Sequence, residues 1–154
     1  MKPYTVEITI DLPRDRVIEL FENRDNLYAW QPGLESFEHV SGEPGHPGAK
    51  SKLVYLNGKQ RIELTETITK RELPVEYNAS FDSDIGINTI QNRFIELGPQ
   101  RTQWVSTVQY EFAGFMMKMM GFVVPGMFRK QNLKFMNYFK AFCEDGADVR
   151  NDGS

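Results

Sequence analysis

Between Leu34 and Phe112 the sequence is cut by turn chemistry into short runs, none with the length and 3.6 period of a long helix. The breaks are 41–48 (SGEPGHPG), Asn57-Gly58, Leu73-Pro74, 82–86 (DSDIG) and 98–100 (GPQ). Each supplies residues that accept a positive φ, fix φ or bond their own backbone. They delimit six strands near 34–40, 49–57, 59–71, 75–82, 87–97 and 101–112. Consecutive strands joined by such short turns pair antiparallel with their neighbours, so one curved meander is expected.

Residues 4–10 (YTVEITI) add a seventh strand, because Tyr4, Val6, Ile8 and Ile10 alternate with Thr5, Glu7 and Thr9. The period then changes. In 11–23 (DLPRDRVIELFEN) Asp11 is placed as an N-cap, Pro13 lies near the first turn, and Val17, Leu20 and Phe21 recur at helical spacing. Residues 24–34 (RDNLYAWQPGL) read as a second short helix or turn stopped by Pro32-Gly33, with Trp30 beside the break.

Beyond Pro125-Gly126 a long amphipathic helix runs to about Glu144. Phe128, Asn132, Phe135, Phe139 and Phe142 form one stripe, and Arg129, Lys130, Lys134 and Lys140 lie mostly on the other. Residues 146–154 (GADVRNDGS) offer little apolar surface to bury and are expected to be a disordered tail. The domain organisation expected is therefore one domain over 1–145 followed by that tail.

The chain has 154 residues, 40% of them hydrophobic and 25% charged, with a formal net charge of -3. That balance describes one globular domain and argues against a nucleic-acid partner. Residues 1–15 (MKPYTVEITIDLPRD) contain no apolar h-region, and the single cysteine, Cys143, has no internal partner. A cytoplasmic location is the expectation that suits both features. The run FAGFMMKMMGFVVPGMF, 112–128, is interrupted by Lys118 and Pro125-Gly126 and is too broken to span a bilayer. Surface insertion of an amphipathic segment or ordinary core packing of its methionines stays open.

Strand, two short helices, six antiparallel strands and a long C-terminal helix is the helix-grip order. The chain resembles the START-like (SRPBCC) superfamily over nearly its whole length. The resemblance is carried by PRDRVIELFEN followed by LYAWQPGLESFE, the loop SGEPGHPGAK, the segment ITKRELPVEY, and MFRKQNLKFMNYFKAF in the last helix. These stretches look like the small bacterial polyketide cyclase/dehydrase-like and carbon-monoxide-dehydrogenase-subunit-G-like members. None is a catalytic signature. The resemblance implies an α+β fold in which a seven-stranded curved sheet wraps around the C-terminal helix and leaves a cavity between them.

Strand parity then nominates the lining of that cavity. The even positions of the last strand give Trp104, Ser106, Val108, Tyr110 and Phe112. The strand before it gives Ile90, Asn92, Phe94 and Glu96, the long strand Ile62, Leu64, Glu66 and Ile68, and the run between them Val75, Tyr77, Ala79 and Phe81. Trp30 joins them from the short helices. In the superfamily's arrangement Met116, Met119, Met120, Val123 and Met127 would lie across the open end of the grip as a lid or wall, where unbranched thioethers repack around different ligands.

Glu66 and Asn92 stand out as polar residues in apolar rows. Buried alone, each would cost about 1–3 kcal/mol or more. Either a bulge turns Glu66 to solvent, or it is a polar handle in the pocket. The catalytic constellations are thin: His39 and His46 match no triad or metal-ligand spacing, GEPGHPG lacks a phosphate-binding pattern, and Cys143 reads as a structural thiol. No cofactor or metal is expected.

Three functions follow. The first is binding or transport of a hydrophobic small molecule of lipid, polyketide or aromatic type, which requires an enclosed cavity of about several hundred Å³. The second is a polyketide cyclase/aromatase-like enzyme, with Glu66, Tyr110 and Asn92 as the candidates for proton transfer. The third is docking to a membrane surface or protein through residues 115–128.

Overall fold

The computed structural model describes residues 2–114 and 125–151. The strands are β1 (Tyr4–Ile10), β2 (Leu34–Ser41), β3 (Lys50–Asn57), β4 (Gln60–Glu72), β5 (Glu76–Ser83), β6 (Gly86–Gly98) and β7 (Arg101–Phe112). Between β1 and β2 lie helix α1 (Arg14–Glu22), a 3-10 turn (Arg24–Asn26) and helix α2 (Leu27–Trp30). Helix α3 (Pro125–Asp145) completes the described chain. The strands form one antiparallel, curved sheet in the order β1-β7-β6-β5-β4-β3-β2, so the meander is closed at one edge by the first strand pairing with the last.

Alternation explains which face each strand buries. In β7 Thr102, Trp104, Ser106, Val108 and Phe112 are all buried, whereas Gln109 and Glu111 are exposed. Helix α3 lays Met136 and Phe139 onto this concave face and leaves Arg129, Lys130 and Lys134 outside. The core gathers Val6 and Ile10 of β1, Val17 and Ile18 of α1, Trp30 of α2, Phe94 of β6, Trp104 of β7 and Met136 and Phe139 of α3. Fully burying each of the larger side chains contributes about 1.5–3 kcal/mol. Phe21 is the hub, with ring centroids 5.1 Å from Phe94, 5.6 Å from Trp104 and 5.9 Å from Phe139.

Three local expectations are corrected. Pro13, not Asp11, is the N-cap of α1, and no side chain caps it; Asp11 instead donates its backbone N–H to Glu144 Oε2 at 2.7 Å, tying β1 to α3. Residues 146–151, expected to begin a disordered tail, are placed. Gly146, at φ +67, caps α3 by donating to Phe142 O, and Val149 N donates to Ala29 O at 2.8 Å. That hydrogen bond fastens the chain after α3 to α2. Finally, the inward parity breaks at the strand ends: Ile62 is 38% exposed, Glu96 is exposed, and Val75, which precedes β5, is 50% exposed. Among the described residues, no helix is long and apolar enough to cross a membrane.

Candidate functional site: a chamber under the C-terminal helix

Glu66 occupies the middle of β4, opposite Ser51 of β3 and Phe81 of β5, and is 4% exposed. The only register shift in this strand pair falls later, between Ile68 and Lys70, so no bulge turns Glu66 to solvent. The 3-10 turn supplies its partner. Asn23 caps that turn by accepting from Asp25 N at 3.1 Å, and Arg24 reaches down with Nη2 3.2 Å from Glu66 Oε1. The same nitrogen donates to Tyr77 Oη, and the guanidinium carbon lies 5.0 Å from the centroid of the Phe37 ring.

This pairing does not restore ordinary acidity. Burial pushes the Glu66 carboxyl above the usual carboxylate range, and Arg24 pulls it only part of the way back. Burial also raises the Tyr77 phenol to about 12, with Arg24 opposing the rise and the Glu66 charge adding to it. Tyr55, which donates to Gln31 Oε1, is raised by burial and then by Glu66.

Asn92 is satisfied differently. Its Oδ1 accepts from Trp104 Nε1 at 2.9 Å, and its backbone N–H donates to Asn78 Oδ1 at 3.1 Å. The indole and the amide therefore hold each other on the floor of the sheet.

These groups surround a chamber of about 110 Å³. Its roof is Phe21, Arg24, Leu27, Trp30 and Gln31; its floor is Leu53, Glu66, Tyr77, Ala79, Phe81, Ile90, Asn92, Trp104 and Ser106; its wall on α3 is Asn132, Phe135 and Met136. Gln31, Phe81, Ile90, Asn132 and Phe135 also line a second, larger space of about 630 Å³, bounded further out by Tyr55, Leu64, Asn88, Tyr110 and Tyr138. These five residues border both spaces, so chamber and vestibule are adjacent. A side pocket of about 170 Å³ lies against Leu64, Phe81, Tyr110, Phe112 and Phe128.

The nominated residues separate by depth. Trp30, Glu66, Phe81, Ile90, Asn92, Trp104 and Ser106 line the chamber, while Leu64 and Tyr110 line the vestibule. Phe94 and Val108 are wholly buried in packing and line neither space. Met127 is 62% exposed in the first turn of α3, and Phe128, 4.7 Å from the Tyr110 ring, takes the inward place instead. Met116, Met119, Met120 and Val123, and the lid reading that rests on them, lie outside the described residues.

Nor do the three candidates for proton transfer meet. Tyr110 is engaged with Tyr4 and Asn132 at the edge of α3, where burial raises its phenol. The neighbours of Glu66 are Arg24, from the 3-10 turn that parity does not reach, and Tyr77, which parity placed on the same inward face. Phe21 was visible at helical spacing without its place over the sheet, whereas Arg24, Leu27 and Gln31 fall in or beside elements of three and four residues, too short to show a period. The available signal was indirect: an acid on the inward parity of a strand needs a cation, and the short helices are the elements that cover that face.

No family model matches the chain, and no curated protein matches it. Solved structures do match. The Zhui aromatase/cyclase from Streptomyces sp. R1128 superposes with a TM-score of 0.75 at 15% identity, covering 92% of this chain and 93% of its own. A conserved protein from Geobacillus kaustophilus gives 0.73 at 16% identity, over 92% and 95% of the two chains. Ara h 8.0201 gives 0.72 at 12% identity, over 92% and 97%. The chain has the START-like helix-grip fold. In this helix-grip chain the roof residues come from the segment between β1 and β2, and the grip itself, α3 on the concave sheet, separates chamber from vestibule. Identities this low carry the architecture and leave the chemistry to the site's own residues.

Proposed function

We propose that this protein binds a hydrophobic small molecule of lipid, polyketide or aromatic type, with its leading end in the chamber and the rest in the vestibule between sheet and α3. The observation that carries the reading is the adjacency of the two spaces, which share Phe81, Ile90 and Phe135 as apolar lining. A chamber of about 110 Å³ is smaller than the enclosed cavity expected from sequence; most of the volume lies in the vestibule. The chamber alone is smaller than an apolar cavity of about 150 Å³ that takes benzene, so it receives only the leading end of such a ligand. Apolar walls with a few convergent polar groups are the usual form of a small-molecule site.

The test is native mass spectrometry of the gently purified protein, followed by titration with the neutral fluorophore N-phenylnaphthylamine. A copurifying organic species, or blue-shifted emission that Ala79→Leu removes, supports the reading. Failure of both the copurification and the titration overturns it.

A second reading, a cyclase/aromatase-like enzyme, is favoured by one observation: the buried carboxyl of Glu66, at the chamber surface, has its pKa shifted toward the range useful for proton transfer. For that reading Glu66→Gln must abolish turnover of a polyketide-type substrate while probe binding survives.

A further inference from the structure

Resting on the binding reading above, we infer that the chamber selects a neutral hydroxyl-bearing ligand, an alcohol or phenol, and rejects a carboxylate of the same shape. The inference comes from how the buried pair is used. Glu66 is nine-tenths or more buried and lines the chamber, yet among the described residues its carboxylate meets a single cationic partner, Arg24, at one oxygen. A carboxylate presents two oxygens and about four lone-pair sites. Among the described residues no donor reaches its second oxygen.

Arg24 is already turned to its own neighbours through one of its three nitrogens. Nη2 serves both Glu66 and Tyr77 Oη, and the guanidinium plane lies near the Phe37 and Tyr77 rings. One cation faces one anion, so the chamber offers no net positive charge to a ligand anion. An entering carboxylate would lose its hydration and stand beside a buried like charge, with no second cation among the described lining residues to offset it. A hydroxyl loses much less on entry and donates to the free oxygen of Glu66, a charge-assisted hydrogen bond in apolar surroundings. The remaining chamber surface, Leu27, Leu53, Ala79, Phe81 and Ile90, suits the ring or chain that carries the hydroxyl.

The probes that separate these possibilities are para-butylphenol, para-butylbenzoate and butylbenzene, each competed against N-phenylnaphthylamine at neutral pH. For the wild-type chain the expected order is phenol tightest, then butylbenzene about tenfold or more weaker, with benzoate the poorest. In Glu66→Gln, Arg24 is left as an unpaired cation, so the preference should invert and benzoate should bind tighter than phenol.

Equal binding of phenol and butylbenzene by the wild-type chain, or benzoate binding as well as phenol, would overturn the inference even if the variant did not fold. A folded Glu66→Gln protein that keeps the wild-type order would do the same. If the fluorophore fails to bind the wild-type chain at all, the binding reading itself is what has failed.

Discussion

Arg24 Nη2 lies 3.2 Å from Glu66 Oε1, joining a three-residue 3-10 turn to the middle of a thirteen-residue strand across the chamber. The pair is unequal: the Glu66 side chain is 6% exposed and that of Arg24 is 30% exposed. Removing the cation strands a buried anion. Arg24→Met is therefore expected to cost about 2 kcal/mol, below the usual figure for breaking a buried pair because water partly screens Arg24. Urea unfolding measures it, and a double variant with Glu66→Gln should recover most of the loss, giving a coupling energy for the pair.

The raised pKa of Glu66 has a pH consequence whose sign is fixed. A carboxyl whose pKa is higher folded than unfolded holds its proton more tightly in the native state. Its contribution to stability is fully present below the ordinary carboxylate pKa and is lost as pH rises through the folded value. Arg24 is the opposing charge beside it, and the phenols of Tyr77 and Tyr55, both raised by burial, keep their protons over that window. Unfolding free energies measured from about pH 4 to about pH 8 should show Glu66→Gln gaining on the wild type with rising pH. A constant difference between the two proteins would refute the assignment.

Ala79 is 2% exposed on the chamber floor, and its side chain is the smallest on the inward face of β5. Ala79→Leu adds three carbons beside open space. Stability should change by less than about 1.5 kcal/mol, while titration with N-phenylnaphthylamine should lose its saturable phase. A large fall in melting temperature would mean that the chamber is packed more tightly than its volume implies.

Asn92 and Trp104 make a mutual contact of 2.9 Å on the chamber floor. Asn92→Leu leaves the buried indole N–H without its acceptor. The expected cost is about 1–3 kcal/mol by chemical denaturation, with indole emission shifting as its hydrogen bond is lost.

The elements of this fold were legible because the physics that forms them is local. Asn57-Gly58 and the Gly98–Gln100 turn mark hairpins by their backbone preferences, and alternation in β7 assigns Trp104 and Ser106 to the buried face. The same parity put Glu66 on the inward row but left open whether a bulge turns it to solvent; the unshifted register opposite Ser51 and Phe81 is what buries it. Depth was not legible: Phe94 shares its face with Asn92 and Ile90, but only the tertiary position of Phe21 and α3 decides that Phe94 is packed solid and its neighbours border a space. Arg24 was hidden for another reason. Its role depends on a contact with a residue far along the chain, and a 3-10 turn of three residues has no periodicity to announce a face. Asn132 had a visible place on the helix stripe, but its bond to Tyr4 depends on β1 lying beside β7.

That edge pairing, in which Tyr4 stands opposite Val108 and Ile10 opposite Thr102, bears on how the chain comes off the ribosome. The first strand to emerge is the last to find its place, because its partner is the final strand of the sheet. Until then the apolar row of Val6, Ile8 and Ile10 has no sheet edge to join, and the nascent chain carries an unpaired, aggregation-prone strand through most of synthesis. Closing so long a loop late makes the topology slow to complete. Holding β1 until β7 is made is therefore a task for the cellular folding machinery as much as for the sequence.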